Sequence, residues 1–131
     1  MNRNKLKTIL LKCFGLNPVS WIHGAKFFYL NLIKKPKLEP ELNYLNKYQL
    51  ANTIAIDAGA NSGDWSFILS NYVGRDGLVL AFEPHPYYFL ATKRAIQLSF
   101  RKNILLNNLA LTSKKRKVNF AISQNNTDLD Y

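Results

Sequence analysis

The stretch Thr53-Ile54-Ala55-Ile56-Asp57-Ala58-Gly59-Ala60-Asn61-Ser62-Gly63-Asp64-Trp65-Ser66 decides how the rest of the chain is read. Its first four residues are rich in β-branched side chains and show no polar alternation, the pattern of a strand buried on both faces. The run ends on a carboxylate, Asp57, and on a loop that carries Gly59 and Gly63. Beyond the loop, Trp65, Ile68, Leu69 and Tyr72 recur at helical spacing, so a helix opens near Asp64 and is closed by Gly74 and Gly77.

Working outward, the unit recurs. Leu78 to Phe82 reads as a second buried strand that ends at another carboxylate, Glu83, with Pro84 and Pro86 holding the following turn open. Residues 87–98 read as a helix in which Arg94 interrupts the apolar stripe, and Ile104 to Leu106 as a third strand. Lys114 to Lys117 is a turn, after which Val118, Phe120 and Ile122 alternate with Lys117, Asn119 and Ala121 as a half-exposed edge strand. Upstream, Leu6, Ile9, Leu10 and Cys13 line one face of a helix that Gly15 and Pro18 stop. A second helix spans Val19 to Ile33, with Trp21, Ala25, Phe28 and Leu32 on one face, and a short one runs from Glu41 to Tyr48.

Strands alternating with helices imply a parallel sheet with right-handed crossovers. The expected fold is α/β, a Rossmann-like and incomplete parallel sheet preceded by N-terminal helices. The expected organisation is a basic helical region over 1–49, the α/β half-domain over 50–123 and a polar, patternless tail over 124–131.

Composition excludes several classes. The 131 residues are 47% hydrophobic and 13% aromatic, which excludes general disorder. One cysteine, Cys13, excludes a disulfide framework or a cysteine-built zinc site and suggests a reducing, cytoplasmic setting. No run reaches the ~18 apolar residues of a spanning helix. The basic start is no signal peptide, because Lys12 interrupts its apolar stretch and no small-residue cleavage site follows. The net charge is +10, and residues 1–49 hold nine basic and two acidic side chains against nine and six in residues 50–131. A basic front end suits nucleic acid, anionic lipid or an acidic substrate, and equally a solvated surface.

Sheets of this class bind ligands beyond the carboxyl ends of their strands, where Asp57 and Glu83 stand. Gly59 and Gly63 let the loop turn tightly, and the helix behind it aims free N–H groups at the same place. A dinucleotide is one fit, but Ala58 and Ala60-Asn61 break the Gly-x-Gly-x-x-Gly fingerprint and Asp57 would repel a pyrophosphate. A ligand carrying an ammonium group reverses that sign. S-adenosylmethionine has one beside its sulfonium, so Asp57 would hold the methionine end while Glu83 accepts from the ribose hydroxyls. The structural alternatives are that Asp57 caps the following loop or helix and that Glu83 is an exposed strand-end acid.

Three segments, Thr53 to Ser66, Ala81-Phe82-Glu83-Pro84-His85-Pro86 and Asn108-Leu109-Ala110-Leu111, together resemble the FkbM family of S-adenosylmethionine-dependent methyltransferases over roughly residues 50–123. The resemblance implies a class I methyltransferase fold and O-methylation of a small-molecule or glycan hydroxyl. It places cofactor binding on Asp57, Gly59, Asn61, Gly63 and Glu83, with Asn108 to Ala110 near the adenine. The family continues with a further strand carrying an Asp-Val-Glu-Gly-like motif and the second half of the sheet. This chain ends at Tyr131, and Thr112-Ser113 stands where the family has a glycine. The expectation is therefore a cofactor half-site, truncated before the catalytic groups, that self-associates through an uncovered first strand. Its alternative is a non-catalytic basic module on nucleic acid or on an anionic membrane surface. A nicotinamide-dinucleotide domain comes third.

Weaker signals read as structural. His85 beside the site is a loop residue, His23 a packing residue and Lys114 to Lys117 a solvated turn. No His-Glu-x-x-His spacing and no Gly-x-Ser-x-Gly elbow occurs, so neither a metal nor a serine nucleophile is expected.

Overall fold

The computed structural model of the chain describes residues 16–33, 40–114, 116 and 117. The expected first helix with Cys13, Lys115 of the basic turn, the edge strand over 118–122 and the tail lie outside the described residues. The elements run α1 (Leu16–Ile33), α2 (Pro40–Leu45), β1 (Ile54–Ala58), α3 (Asp64–Val73), β2 (Leu78–Phe82), α4 (Pro86–Ser99) and β3 (Ile104–Asn107). The architecture is α/β and Rossmann-like. Three parallel strands lie in the order β1-β2-β3, with Asp57 beside Ala81 and Phe82 beside Asn107.

Sequential order places both crossovers in the same direction, and right-handed crossovers then put α3 and α4 on one face of the sheet. That face is the core. Val79, Ala81 and Ile104 from the strands pack with Phe67 and Val73 of α3 and with Ala91, Ala95 and Ile96 of α4, and Phe27 of α1 joins them. No described helix covers the other face, where Ile54 is 66% and Ile56 63% exposed and Leu105 is open beside them. β1 is thus buried on one face only, a correction to the two-sided burial expected from its unbroken apolar run. That pattern reports hydrophobicity, whereas coverage depends on which way the crossovers turn.

Two helix faces also differ from expectation. In α3 the buried residues are Ser66, Phe67, Ser70 and Val73, and Trp65, Ile68, Leu69 and Tyr72 are only half-buried. Small serines bring the helix close to the sheet, and their hydroxyls find partners there: Ser66 donates to Asp57, and Ser70 donates to Asn103 Oδ1 at 2.7 Å. In α1, which begins at Leu16 and holds Pro18 in its first turn as proline tolerates, the buried residues are Val19, Ser20, Gly24 and Phe27. Trp21 and Leu32 of the expected stripe are exposed. The reason is Gly24, which lets α4 approach so closely that a methyl there would overlap Arg94 Cβ and lie 2.8 Å from the Ala91 carbonyl oxygen.

An apolar sheet face beside the edge of β1, which no described strand pairs, has a measurable outcome. Light scattering on the purified chain is expected to give a mass above the 15.1 kDa monomer. The Ile54→Lys, Ile56→Lys double variant, which charges the outward face, is expected to return the monomer. A parent chain that is already monomeric would show that the face is compatible with water.

Candidate functional site

Asp57 occupies the penultimate position of β1, on the covered face, and is 8% exposed. There its carboxylate meets the first turn of α3. Ser66 Oγ donates to Asp57 Oδ2 at 2.5 Å, and the Ser66 main-chain N–H donates to the same carboxylate. Asp57 therefore caps the helix N-terminus, an interaction the dipole favours. The capping alternative raised by the sequence is realised, and it does not remove the charge from the site. Burial raises the Asp57 pKa above the ordinary carboxylate value, and the two Ser66 bonds oppose that rise. The chain thus keeps a carboxylate where desolvation works against it.

Glu83, just past β2, is 5% exposed and anything but a free strand-end acid. Its Oε2 accepts the Asn61 main-chain N–H at 2.7 Å, and its Oε1 accepts the His85 main-chain N–H at 2.7 Å. The carboxylate therefore ties the glycine loop to the turn before α4. Asn108, beyond β3, braces the same turn: its Nδ2 donates to the Glu83 carbonyl at 2.8 Å and to the Pro84 carbonyl at 3.1 Å. His85 serves as the N-cap of α4, its Nδ1 accepting the Tyr87 N–H at 3.1 Å, with the Tyr87 and Tyr88 rings against its own.

The loop between the two acids is pinned through its backbone. The N–H groups of Gly59 and Ala60 donate to the Phe82 carbonyl at 2.9 and 3.0 Å. Asn61 sits in the left-handed region at φ 45°, its N–H on Glu83 and its carbonyl accepting from the Thr92 hydroxyl of α4. Gly63, at φ 84°, lies under Thr92, where an added Cβ would come within 2.8 Å of Thr92 Cγ2. Only glycine meets both demands without strain. Gly59, at φ 88°, is the opposite case: a Cβ there would touch nothing within 4 Å. Among the described residues, space is therefore open beside the loop at Gly59.

The structure thus brings Asp57, Gly59, Asn61, Gly63 and Glu83 around one loop, with Asn108 behind Glu83. Sequence reading missed Ser66 and Thr92, which orient Asp57 and the loop. The signal for Ser66 was available, since a hydroxyl in the first turn of the helix after a strand-end Asp is within capping reach. Nothing local signals Thr92, 31 residues from its partner. Among the described residues no group of three His, Cys, Asp or Glu side chains could hold a metal ion, and no helix is long and apolar enough to cross a membrane.

No protein-family model matches the chain, and no curated protein matches it. Among solved structures, the chain is similar to a SAM-dependent methyltransferase from Aquifex aeolicus, with 20% sequence identity and a TM-score of 0.48. The match covers 72% of this chain and 49% of that one, so this chain spans about half the length of that protein.

Proposed function

We propose that the chain binds S-adenosylmethionine at the carboxyl ends of β1 and β2 and forms the cofactor-binding part of a methyltransferase of class I fold. The observation that carries this reading is the pair of buried carboxylates, Asp57 and Glu83, flanking a backbone-pinned loop that no described residue covers at Gly59. The group fits the residues. Asp57 holds a desolvated negative charge at a helix N-terminus, a place for the cofactor's ammonium. Each Glu83 oxygen has used one acceptor position on a main-chain N–H, which leaves one on each for a ribose hydroxyl. Asn108 acts as a brace for the Glu83 turn, on the side where the adenine would lie.

When bound, the cofactor supplies a methyl group activated by its sulfonium. The residues described orient that group, and an acceptor hydroxyl held in line with it gains mainly from proximity. The finer reading, O-methylation of a sugar or other small-molecule hydroxyl in the manner of the FkbM family and in a reducing cytoplasm, is supported by the three motifs and the single cysteine.

Calorimetric titration with S-adenosylhomocysteine tests the site. Binding is expected, with Asp57→Asn weakening it by about 1–3 kcal/mol, the scale of a hydrogen bond to a charged group, and with no displacement by a nicotinamide dinucleotide. The pH dependence has a definite sign. Because the folded pKa of Asp57 is raised, the free chain is most stable with Asp57 protonated and loses that contribution as pH rises through the folded pKa. An ammonium-bearing ligand prefers the ionised form, so affinity rises through the same window and levels off above it. Asp57→Asn is expected to abolish that rise. A folded chain that gives no heat, or an affinity that falls as Asp57 ionises, overturns the assignment.

A further inference from the structure

We propose that a second site, a basic groove at the opposite end of the sheet, binds single-stranded nucleic acid. The groove encloses about 660 Å³ between the C-terminal end of α3, the end of α4 and the entry to β3. It is lined by Ser70, Asn71, Arg75, Phe100, Arg101 and Lys102, together with Gly74 and Asn103. Three of those side chains are cationic and none is acidic. Asp76 follows Arg75 in sequence but does not line the groove.

Arg101 is held in a fixed pose. Its Nη1 donates to Ser70 Oγ at 2.8 Å and to Asn71 Oδ1 at 2.7 Å, and its guanidinium lies 5.4 Å from the centre of the Phe67 ring. No carboxylate among the described residues pairs with it, so the rest of its donor fork is open to an anion. Within the lining, Asn103 Nδ2 donates to the Ser70 and Gly74 carbonyls and fixes the strand entry to the helix end.

Phe100 supplies the second chemistry. It terminates α4 in the left-handed conformation at φ 55°, a position where glycine costs nothing and a bulky side chain is strained. The residue is 87% exposed. An aromatic platform beside three cations that no carboxylate among the described residues pairs matches a nucleotide strand, whose phosphates take the cations while a base stacks on the ring. A bilayer favours convex, protruding apolar contacts, whereas this site is concave and has serine and asparagine in its wall.

The site is independent of the proposed cofactor site, and titration with S-adenosylhomocysteine reads the latter separately. Fluorescence anisotropy of labelled octathymidylate with the full chain tests the groove. Binding is expected to weaken with salt at a logarithmic slope of about −2, three phosphate contacts at about 0.7 each. Phe100→Gly is the decisive variant. It relieves the backbone strain, so the melting temperature is expected to rise, while affinity falls roughly five-fold or more for the lost stacking contact. Lys102→Ala is expected to weaken binding and flatten the slope, and Lys93→Ala, an equal charge change elsewhere on α4, is expected to do neither. Unchanged binding in Phe100→Gly, equal effects of Lys93→Ala and Lys102→Ala, or tighter binding to phosphatidylserine vesicles than to the oligonucleotide overturns the proposal.

Discussion

Glu83→Ala is expected to lower the stability of the chain by about 2–4 kcal/mol, as well as weakening any ligand at the strand ends. The substitution removes the acceptor from two main-chain N–H groups, those of Asn61 and His85, in a part of the structure where the carboxylate itself is almost wholly buried. An orphaned buried donor costs about 1–3 kcal/mol. Two of them take a large share of the 5–15 kcal/mol that holds an ordinary domain together. Glu83→Gln separates the two roles. Its carbonyl oxygen still satisfies one donor, but its amide nitrogen faces the other, so about half the loss is expected. Urea denaturation followed by circular dichroism measures both variants. Equal stability of Glu83→Ala and the parent would mean that the loop stands without the carboxylate.

The second large effect is expected at Gly24, in the seam between α1 and α4. A valine there drives its methyl groups into Arg94 Cβ and the Ala91 backbone, and backbone cannot swing aside as a side-chain tip can. Overpacking costs typically about 1–3 kcal/mol, and here the least costly relief is separation of α1 from α4. Gly24→Val is therefore expected to destabilise by about 2–4 kcal/mol and to act locally. Amide exchange should accelerate across residues 16–33 while the protected amides of β2 hold. Gly24→Ala is expected to show a smaller loss, because alanine gains about 1 kcal/mol of helix propensity over glycine. Uniform loss of protection across the sheet would show that α1 is integral to the core rather than docked on it.

The legible parts of this fold are those encoded locally. β2 covers the five residues its apolar run marks, and Asp57 and Glu83 stand at neighbouring strand ends because a parallel βαβ unit places them there. The illegible parts arise where small or polar residues do the packing. Hydrophobic periodicity pointed to Trp65, Ile68 and Trp21, while the buried faces use Ser66, Ser70, Ser20 and Gly24. Such faces are chosen by distance of approach, which no hydropathy pattern records. The side of the sheet that no described helix covers was hidden for a related reason: Ile54 and Ile56 are as apolar as any buried strand, and only the direction of the crossovers leaves them exposed. The basic groove was hidden more deeply, since Ser70, Arg75 and Arg101 meet only once α3 and β3 have been laid side by side.

The loop between Asp57 and Gly63 is fastened by main-chain atoms, the Asn61 N–H to Glu83 and its carbonyl to Thr92. Its shape is therefore insensitive to the side chain of Ser62, and at position 61 it asks only for a residue that accepts a left-handed backbone. That makes the loop a ready graft site. Libraries that vary residue 62 freely and residue 61 among Asn, Asp and Gly would alter what lies above the loop while leaving its path intact, so ligand preference could be evolved here without having to re-solve the fold.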